Sequence, residues 1–200
     1  ERLAFSTDTF VVTPHFFPGG DIGRLAVCGT VNDVATSGAD VKYLSVGMVL
    51  EEGFPMESLR RICATIAETA REAGVHIVTG DTKVVNRGHG DGIYINTAGV
   101  GLIPEGRELS GALCRPGDAI LVTGTLGDHG ITIMSQRENL SFSTDLESDA
   151  APLNHLIAEV LEAAPDTRCF RDPTRGGLAS TLNELAGQSN VDMVVREDDV

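Results

Sequence analysis

Leu3 to Val12, with apolar Leu3-Ala4-Phe5 and Phe10-Val11-Val12 flanking Ser6-Thr7-Asp8-Thr9, predicts a strand with Asp8 in its middle. Thr13 to Gly20 carries Pro14, Pro18, Gly19 and Gly20 and predicts a loop. From Ile22 to Ser37 the apolar residues Ile22, Leu25, Ala26, Val31, Val34 and Ala35 recur at helical spacing. Asp21 stands where a helix N-cap belongs, and Gly38 is a residue type that ends helices. Val41 to Leu50 is β-rich. Pro55 opens a second helix, Glu57 complements its first turn, and Gly74 closes it. His76 to Val85 reads as a strand broken at Gly80-Asp81-Thr82-Lys83. A glycine-rich connection over 86–92 leads to a further strand, Ile93 to Ile103, in which Gly99 and Gly101 mark bulges or close backbone approaches.

Residues 104–117 are polar and rich in Pro and Gly, so a boundary is expected there, dividing the chain into residues 1–107 and 108–200. Beyond it the pattern predicts a buried strand over 119–123 and a glycine-rich turn over 124–130 that leads into a helix. Helices over 153–163 and 173–188 and a strand over 191–196 follow. Strands that alternate with helices predict an α/β layer. The chain opens directly in a strand and ends without a cap, which reads as a piece of something longer.

Charge narrows the function classes. The 200 residues carry a formal charge of −14, which repels phosphate backbones and anionic lipid, so neither nucleic acid nor a membrane surface is an expected partner. The longest run without Asp, Glu, Lys or Arg covers residues 92–104, shorter than the ~20 residues of a membrane span. Cys28, Cys63, Cys114 and Cys169 form no CxxC pair. This excludes zinc-ribbon and thioredoxin spacings and predicts inert thiols in a reducing, cytoplasmic setting.

The acidic residues carry the first chemical signal. Asp8 in a strand and Asp81 at a strand break are poorly explained as caps, whereas Asp21 and Asp172 suit helix starts. Carboxylates on strands and element ends suit hard oxygen ligation of magnesium, with phosphate completing the shell. Asp172-Pro173-Thr174-Arg175-Gly176-Gly177 combines a cap, an N1 proline, free amides and a cation, the makings of an anion site. It also suits a plain, well-capped helix. Gly80-Asp81-Thr82-Lys83 places a metal-type ligand, a hydroxyl and a cation together, yet no Walker A loop occurs and Lys83 alone equally suits a solvated turn. His129, alone at a helix start, reads as structural.

Five strings, in order, carry a resemblance: Phe16-Phe17-Pro18-Gly19-Gly20-Asp21-Ile22-Gly23, Gly29-Thr30-Val31-Asn32-Asp33, Val78-Thr79-Gly80-Asp81-Thr82-Lys83-Val84-Val85, Gly127-Asp128-His129-Gly130 and Asp172-Pro173-Thr174-Arg175-Gly176-Gly177-Leu178. Together they resemble the HypE family of hydrogenase maturation factors, the carbamoyl dehydratases, within the PurM-like (AIR synthetase) superfamily. The resemblance implies two α/β (α+β) domains. The first binds nucleotide and pairs in a homodimer through its sheet; the second, PurM-like α/β domain is incomplete here. It implies ATP and Mg2+ in a cleft near that interface. Asp8, Asp33 and Asp81 match the acidic positions for the magnesium–triphosphate. Asn32, Thr82, Asp172, Thr174, Arg175 and Gly176 fall in motifs that line the same cleft, and Lys83 matches the lysine beside the reacting thiocarboxamide.

The implied reaction is ATP-dependent dehydration of a carbamoylated C-terminal cysteine to a thiocyanate. HypF is the carbamoyl donor and the HypC–HypD complex the cyanide acceptor. The family's C-terminal Pro-Arg-Ile-Cys is absent from this chain, and Cys169 does not occupy its position, so the 200 residues are expected to be inactive alone. A thiamine-monophosphate kinase or selenophosphate synthetase type of enzyme, or a nucleotide-binding scaffold without turnover, is the alternative.

Overall fold

The computed structural model describes residues 1–138, 146–174, 176–196 and 198. The elements in chain order are β1 (Arg2–Phe10), β2 (Phe16–Phe17), β3 (Gly20–Asp21), α1 (Ile22–Thr36), β4 (Asp40–Glu51), α2 (Met56–Glu72), β5 (His76–Val85), β6 (Ile93–Ile103), α3 (Asp128–Glu138), α4 (Asn154–Ala163) and α5 (Gly177–Ser189). Four strands form one mixed sheet in the order β1-β6-β4-β5. β4 and β5 run parallel, joined by the crossover helix α2, and the other pairs are antiparallel.

Helices α1 and α2 cover one face of this sheet. Ile22, Val27, Val31 and Val34 of α1, Ile62 of α2, and Leu44, Ile93 and Ile95 of the sheet are all but fully buried between them. Such β-branched residues suit strands, and their close packing is the main favourable contribution to folding here. Side chains of α1 and β4 pack so closely over the Gly99 backbone that a Cβ there would lie 2.9–3.1 Å from Thr30, Val34 and Leu44, which is the close approach expected at that glycine.

The opposite face of the sheet is bare. Leu3, Phe5 and Tyr43 are 74%, 68% and 50% exposed there, an apolar surface that a solvated sheet face does not normally carry. The edge strand β5 is exposed along almost its whole length.

The second half packs back on the first. The stretch 146–153 lies along α1: Pro18 accepts from the Ser148 amide at 2.9 Å, Arg24 Nε donates to the Ala150 carbonyl at 2.8 Å, and Asn32 bonds the backbone of Ala151 and Leu153. Ile133 of α3 and Ile157 and Leu161 of α4 join the core formed around α1.

Three expectations need correction. β5 is one unbroken strand through Gly80, because glycine fits where the strands crowd: a Cβ at this position would lie 2.4 Å from the Val46 carbonyl oxygen. Residues 119–123 and 191–196 are not strands. They are apolar enough, with Leu121 86% and Val194 80% exposed, but a strand requires a hydrogen-bonded neighbour and the described residues provide none. Helix α5 starts at Gly177 rather than Pro173; Gly176, with φ 76°, is its N-cap, so Asp172 is not the N-cap of this helix.

Candidate functional site

Strand parity and register determine where the polar groups go. Asp8 lies in the row Asp8–Thr97–Val46–Gly80 across the sheet. Thr97 is buried under α1, where its Oγ1 lies 2.6 Å from that of Thr30 and donates to the Ala26 carbonyl, so this row faces the helices. The adjoining row is Thr9–Asn96–Gly47–Asp81. The Asn96 amide is exposed and donates to Thr9 Oγ1 and the Asp8 carbonyl, so this row faces the bare side. Side chains in one cross-strand row share a face. Asp8 and Asp81 therefore stand on opposite faces and on opposite edge strands, about 14 Å apart at ~4.8 Å per strand.

The first group of polar residues gathers at the β1 edge. Asp33, on α1, accepts a 2.9 Å hydrogen bond from Ser6 Oγ, two residues before Asp8 on the same face of β1. Burial is the main cause that pushes the Asp33 carboxyl above its ordinary range. The Ser6 bond opposes this, the charges of Asp172 and Asp8 add to it, and Arg171 partly offsets them. Asp8 and Asp172 are thus near enough for their charges to act on Asp33. Such a set suits a hard divalent cation. Among the described residues, however, no group of three or more His, Cys, Asp or Glu is close enough to hold a metal by itself.

The second group sits on β5. Lys83 Nζ lies 3.0 Å from Asp81 Oδ2, the i, i+2 pairing of one strand face, and both side chains are exposed. Lys83, and then the Thr82 amide, which donates to Asp81 Oδ1 at 2.9 Å, hold the Asp81 carboxyl below its ordinary range. Thr82 is exposed one residue away.

Other residues singled out in the sequence have structural work in one chain. Both atoms of the Asn32 amide are engaged in tying 151–153 to α1. Asp21 caps α1: Oδ1 accepts from the Gly23 and Arg24 amides at 2.8 and 3.0 Å, and Oδ2 accepts from Thr65 of α2 at 2.7 Å. His129 Nδ1 lies 2.9 Å from Ser148 Oγ, and its ring packs edge-on against Phe17. Thr174 is exposed, and its carbonyl accepts from the Gly177 amide. Arg175 lies outside the described residues.

Ser6 and Arg171 are the site neighbours that sequence reasoning missed. Parity in β1 was the available signal for Ser6. Arg171, which also pairs with Glu184 at 3.2 Å, carried none beyond its place next to Asp172.

A folded-state carboxyl held above its unfolded value favours the native state only while it is protonated. Its contribution is best in acid, declines as pH rises through the ordinary carboxylate range toward the raised value, and stays unfavourable above it. Asp33→Asn is therefore expected to raise the melting temperature at neutral pH and to leave it unchanged in acid below about pH 3. Thermal unfolding of both proteins as a function of pH checks this; a difference that is the same at every pH would contradict the assignment.

Comparison with known proteins gives two matched family models. Residues 1–103 match the AIR synthase related protein N-terminal domain, and residues 115–200 match the corresponding C-terminal domain. The chain is 58% identical over 196 residues to the carbamoyl dehydratase HypE of Azotobacter vinelandii, covering 98% of this chain and 58% of that protein. Its structure is similar to the crystal structure of the hydrogenase maturation protein HypE in complex with ATP, with a TM-score of 0.91 and 57% identity over 94% of this chain and 56% of that one. It is equally similar to a HypE–HypF complex, with a TM-score of 0.91 and 50% identity over 94% of this chain and 62% of that one. The chain spans under three-fifths of the length of the curated relatives it matches.

Proposed function

Since the chain belongs to the AIR synthase-related family, with HypE carbamoyl dehydratases among its near relatives, we propose that it forms the nucleotide-binding part of an ATP-dependent carbamoyl dehydratase of hydrogenase maturation. The observation that carries this reading is the Asp33 carboxyl. It is pushed up by burial and by Asp172 and Asp8, an arrangement costly to the apo protein and matched to a cation–phosphate ligand. Residues 1–107 are the nucleotide-binding and dimerising domain, and 108–200 belong to the second domain. The setting is cytoplasmic; no helix among the described residues is long and apolar enough to cross a membrane.

Two chains complete one site. The sheet has free edges at β1 and β5 and a bare apolar face. A two-fold pairing of two such faces sets β5 of one copy beside β1 of the other. Asp81, Thr82 and Lys83 of one copy then approach Asp8, Asp33 and Asp172 of the second. The homodimer supports this arrangement by burying Leu3, Phe5 and Tyr43.

Asp8 and Asp33, with Asp81 from the second copy, would hold magnesium, which would offset the negative charge of the triphosphate. The chain's own groups do the rest. Asp172, Thr174, Arg175 and Gly176 border the phosphates, with Asn32 and Thr82 beside them. Asp81 holds the Lys83 ammonium in place on the strand face. Lys83 stabilises charge as the carboxamide oxygen of a carbamoylated cysteine attacks the γ-phosphorus and ADP departs. Loss of both nitrogen protons and of phosphate, which breaks the C–O bond, then leaves the thiocyanate. HypF supplies the carbamoyl group and the HypC–HypD complex receives the cyanide.

The test uses the full-length protein. ADP release only when its C-terminal cysteine is carbamoylated is the expected result. Nucleotide binding without any such turnover would favour a scaffold. The kinase and selenophosphate alternatives are not favoured, because relatives identical at more than half of the aligned positions are carbamoyl dehydratases.

A further inference from the structure

Fifty-five residues apart in sequence, Cys114 and Cys169 face one another in the fold with their sulfurs 3.7 Å apart. Both are half-buried free thiols, and neither belongs to the nucleotide site proposed above. Of the other two cysteines, Cys28 is buried and Cys63 exposed.

Their surroundings hold them together. The Cys114 amide donates to Ser189 Oγ at 3.0 Å, which anchors the 110–114 turn to the end of α5. The Ser110 amide donates to the Arg168 carbonyl at 2.9 Å. Arg168 Nε lies 2.8 Å from Asp118 Oδ2, which also accepts from the Arg115 amide. Two segments, 110–118 and 168–171, are thus clamped on both sides of the sulfur pair. Cys169 also lines a cavity of about 270 Å³ between these segments and α5, bordered by Ser110, Gly111, Leu185 and Gln188, which gives a small molecule a way to the Cys169 side of the pair.

We propose that Cys114 and Cys169 form a dithiol–disulfide couple that exchanges with small disulfides of the glutathione class. A disulfide needs a sulfur separation of about 2.05 Å, so the pair must close by a little over 1.5 Å, within reach of side-chain rotation and a small shift of the 110–118 turn. Either sulfur can donate across the 3.7 Å contact. Burial first, and then the hydrogen bond to Cys114, pushes the Cys169 thiol up to about 11, so the first attack is assigned to Cys114.

The exchange balances in two steps. The Cys114 thiolate attacks one sulfur of glutathione disulfide, a protein–glutathione bond forms, and one glutathione thiolate leaves. The Cys169 sulfur, after giving up its proton, attacks the Cys114 sulfur, and the second glutathione thiolate leaves. The protein dithiol is oxidised, glutathione disulfide is reduced to two thiols, and the two protein protons pass to the departing thiolates.

The test treats the purified full-length protein with oxidised glutathione, alkylates the remaining thiols and maps peptides by mass. The expected result is a cross-linked peptide pair carrying Cys114 and Cys169, two hydrogens lighter than the separate peptides. Slower amide exchange over 110–118 and 168–171, reversed by dithiothreitol, accompanies it. In C169S, Cys114 stops at the mixed disulfide with glutathione. Glutathione on Cys63 alone with Cys114 and Cys169 both alkylated, or separate adducts on the two without a cross-link, would overturn the proposal. The mapping of the unsubstituted protein decides the matter even where C169S folds poorly.

Discussion

In the full-length protein, Lys83→Ala is expected to slow ATP-dependent dehydration by about 10²–10³, the usual loss when one group that stabilises developing charge is removed. Lys83 is exposed and held by Asp81 at 3.0 Å, so the fold does not depend on it. Nucleotide affinity should change far less than the rate, because the lysine acts on charge that develops in the transition state. Equal losses in rate and affinity would assign Lys83 to uniform nucleotide binding. The two-chain site adds a sharper test. Asp33→Asn and Lys83→Ala each disable every site in their own homodimer. When the two variants are mixed and allowed to exchange subunits, half of the dimers combine one chain of each kind. One of the two sites in such a dimer has both groups intact, so activity should recover to about a quarter of the unsubstituted protein. No recovery after verified exchange would place both groups in one chain's site, against the strand order.

The largest effect on stability is expected at Asp21. Its carboxylate is 2% exposed, caps two amides of α1 and receives the Thr65 hydroxyl of α2. Asp21→Ala removes the cap and leaves buried donors without partners, a combined cost of about 2–4 kcal/mol. For a chain of this size that lowers the melting temperature by roughly 5–15 °C. Asp21→Asn keeps one acceptor for the cap and should lose less. An unchanged melting temperature together with lost magnesium–ATP affinity would instead make Asp21 a ligand. Both oxygens are taken by the fold, in keeping with the N-cap role expected from the position of Asp21 at a helix start.

Much of the first half was legible from local rules. The α1 boundaries followed from Asp21 and Gly38, and β6 from its apolar residues between the glycine-rich 86–92 connection and Pro104, because caps and breakers act within a few residues. The break expected at Gly80 failed because a glycine in a strand signals either an interruption or a close approach, and only the neighbouring Val46 carbonyl distinguishes them. Residues 119–123 and 191–196 read as strands for the same reason β6 did, yet strand pairing is a property of two segments, and one segment's pattern cannot supply the second.

The motifs, the capped helices, the acid-rich composition and the family were thus determined by the sequence itself, since each depends on residue identity and short spacing. What the tertiary structure alone decided is who stands next to whom. The order β1-β6-β4-β5 sends Asp8 and Asp81 to opposite edges and faces, although both looked like members of one carboxylate cluster. The same folding brings Cys114 and Cys169 to 3.7 Å across 55 residues. Register and chain crossing arise from the sum of many weak contacts distributed over the whole chain, and no local pattern encodes them.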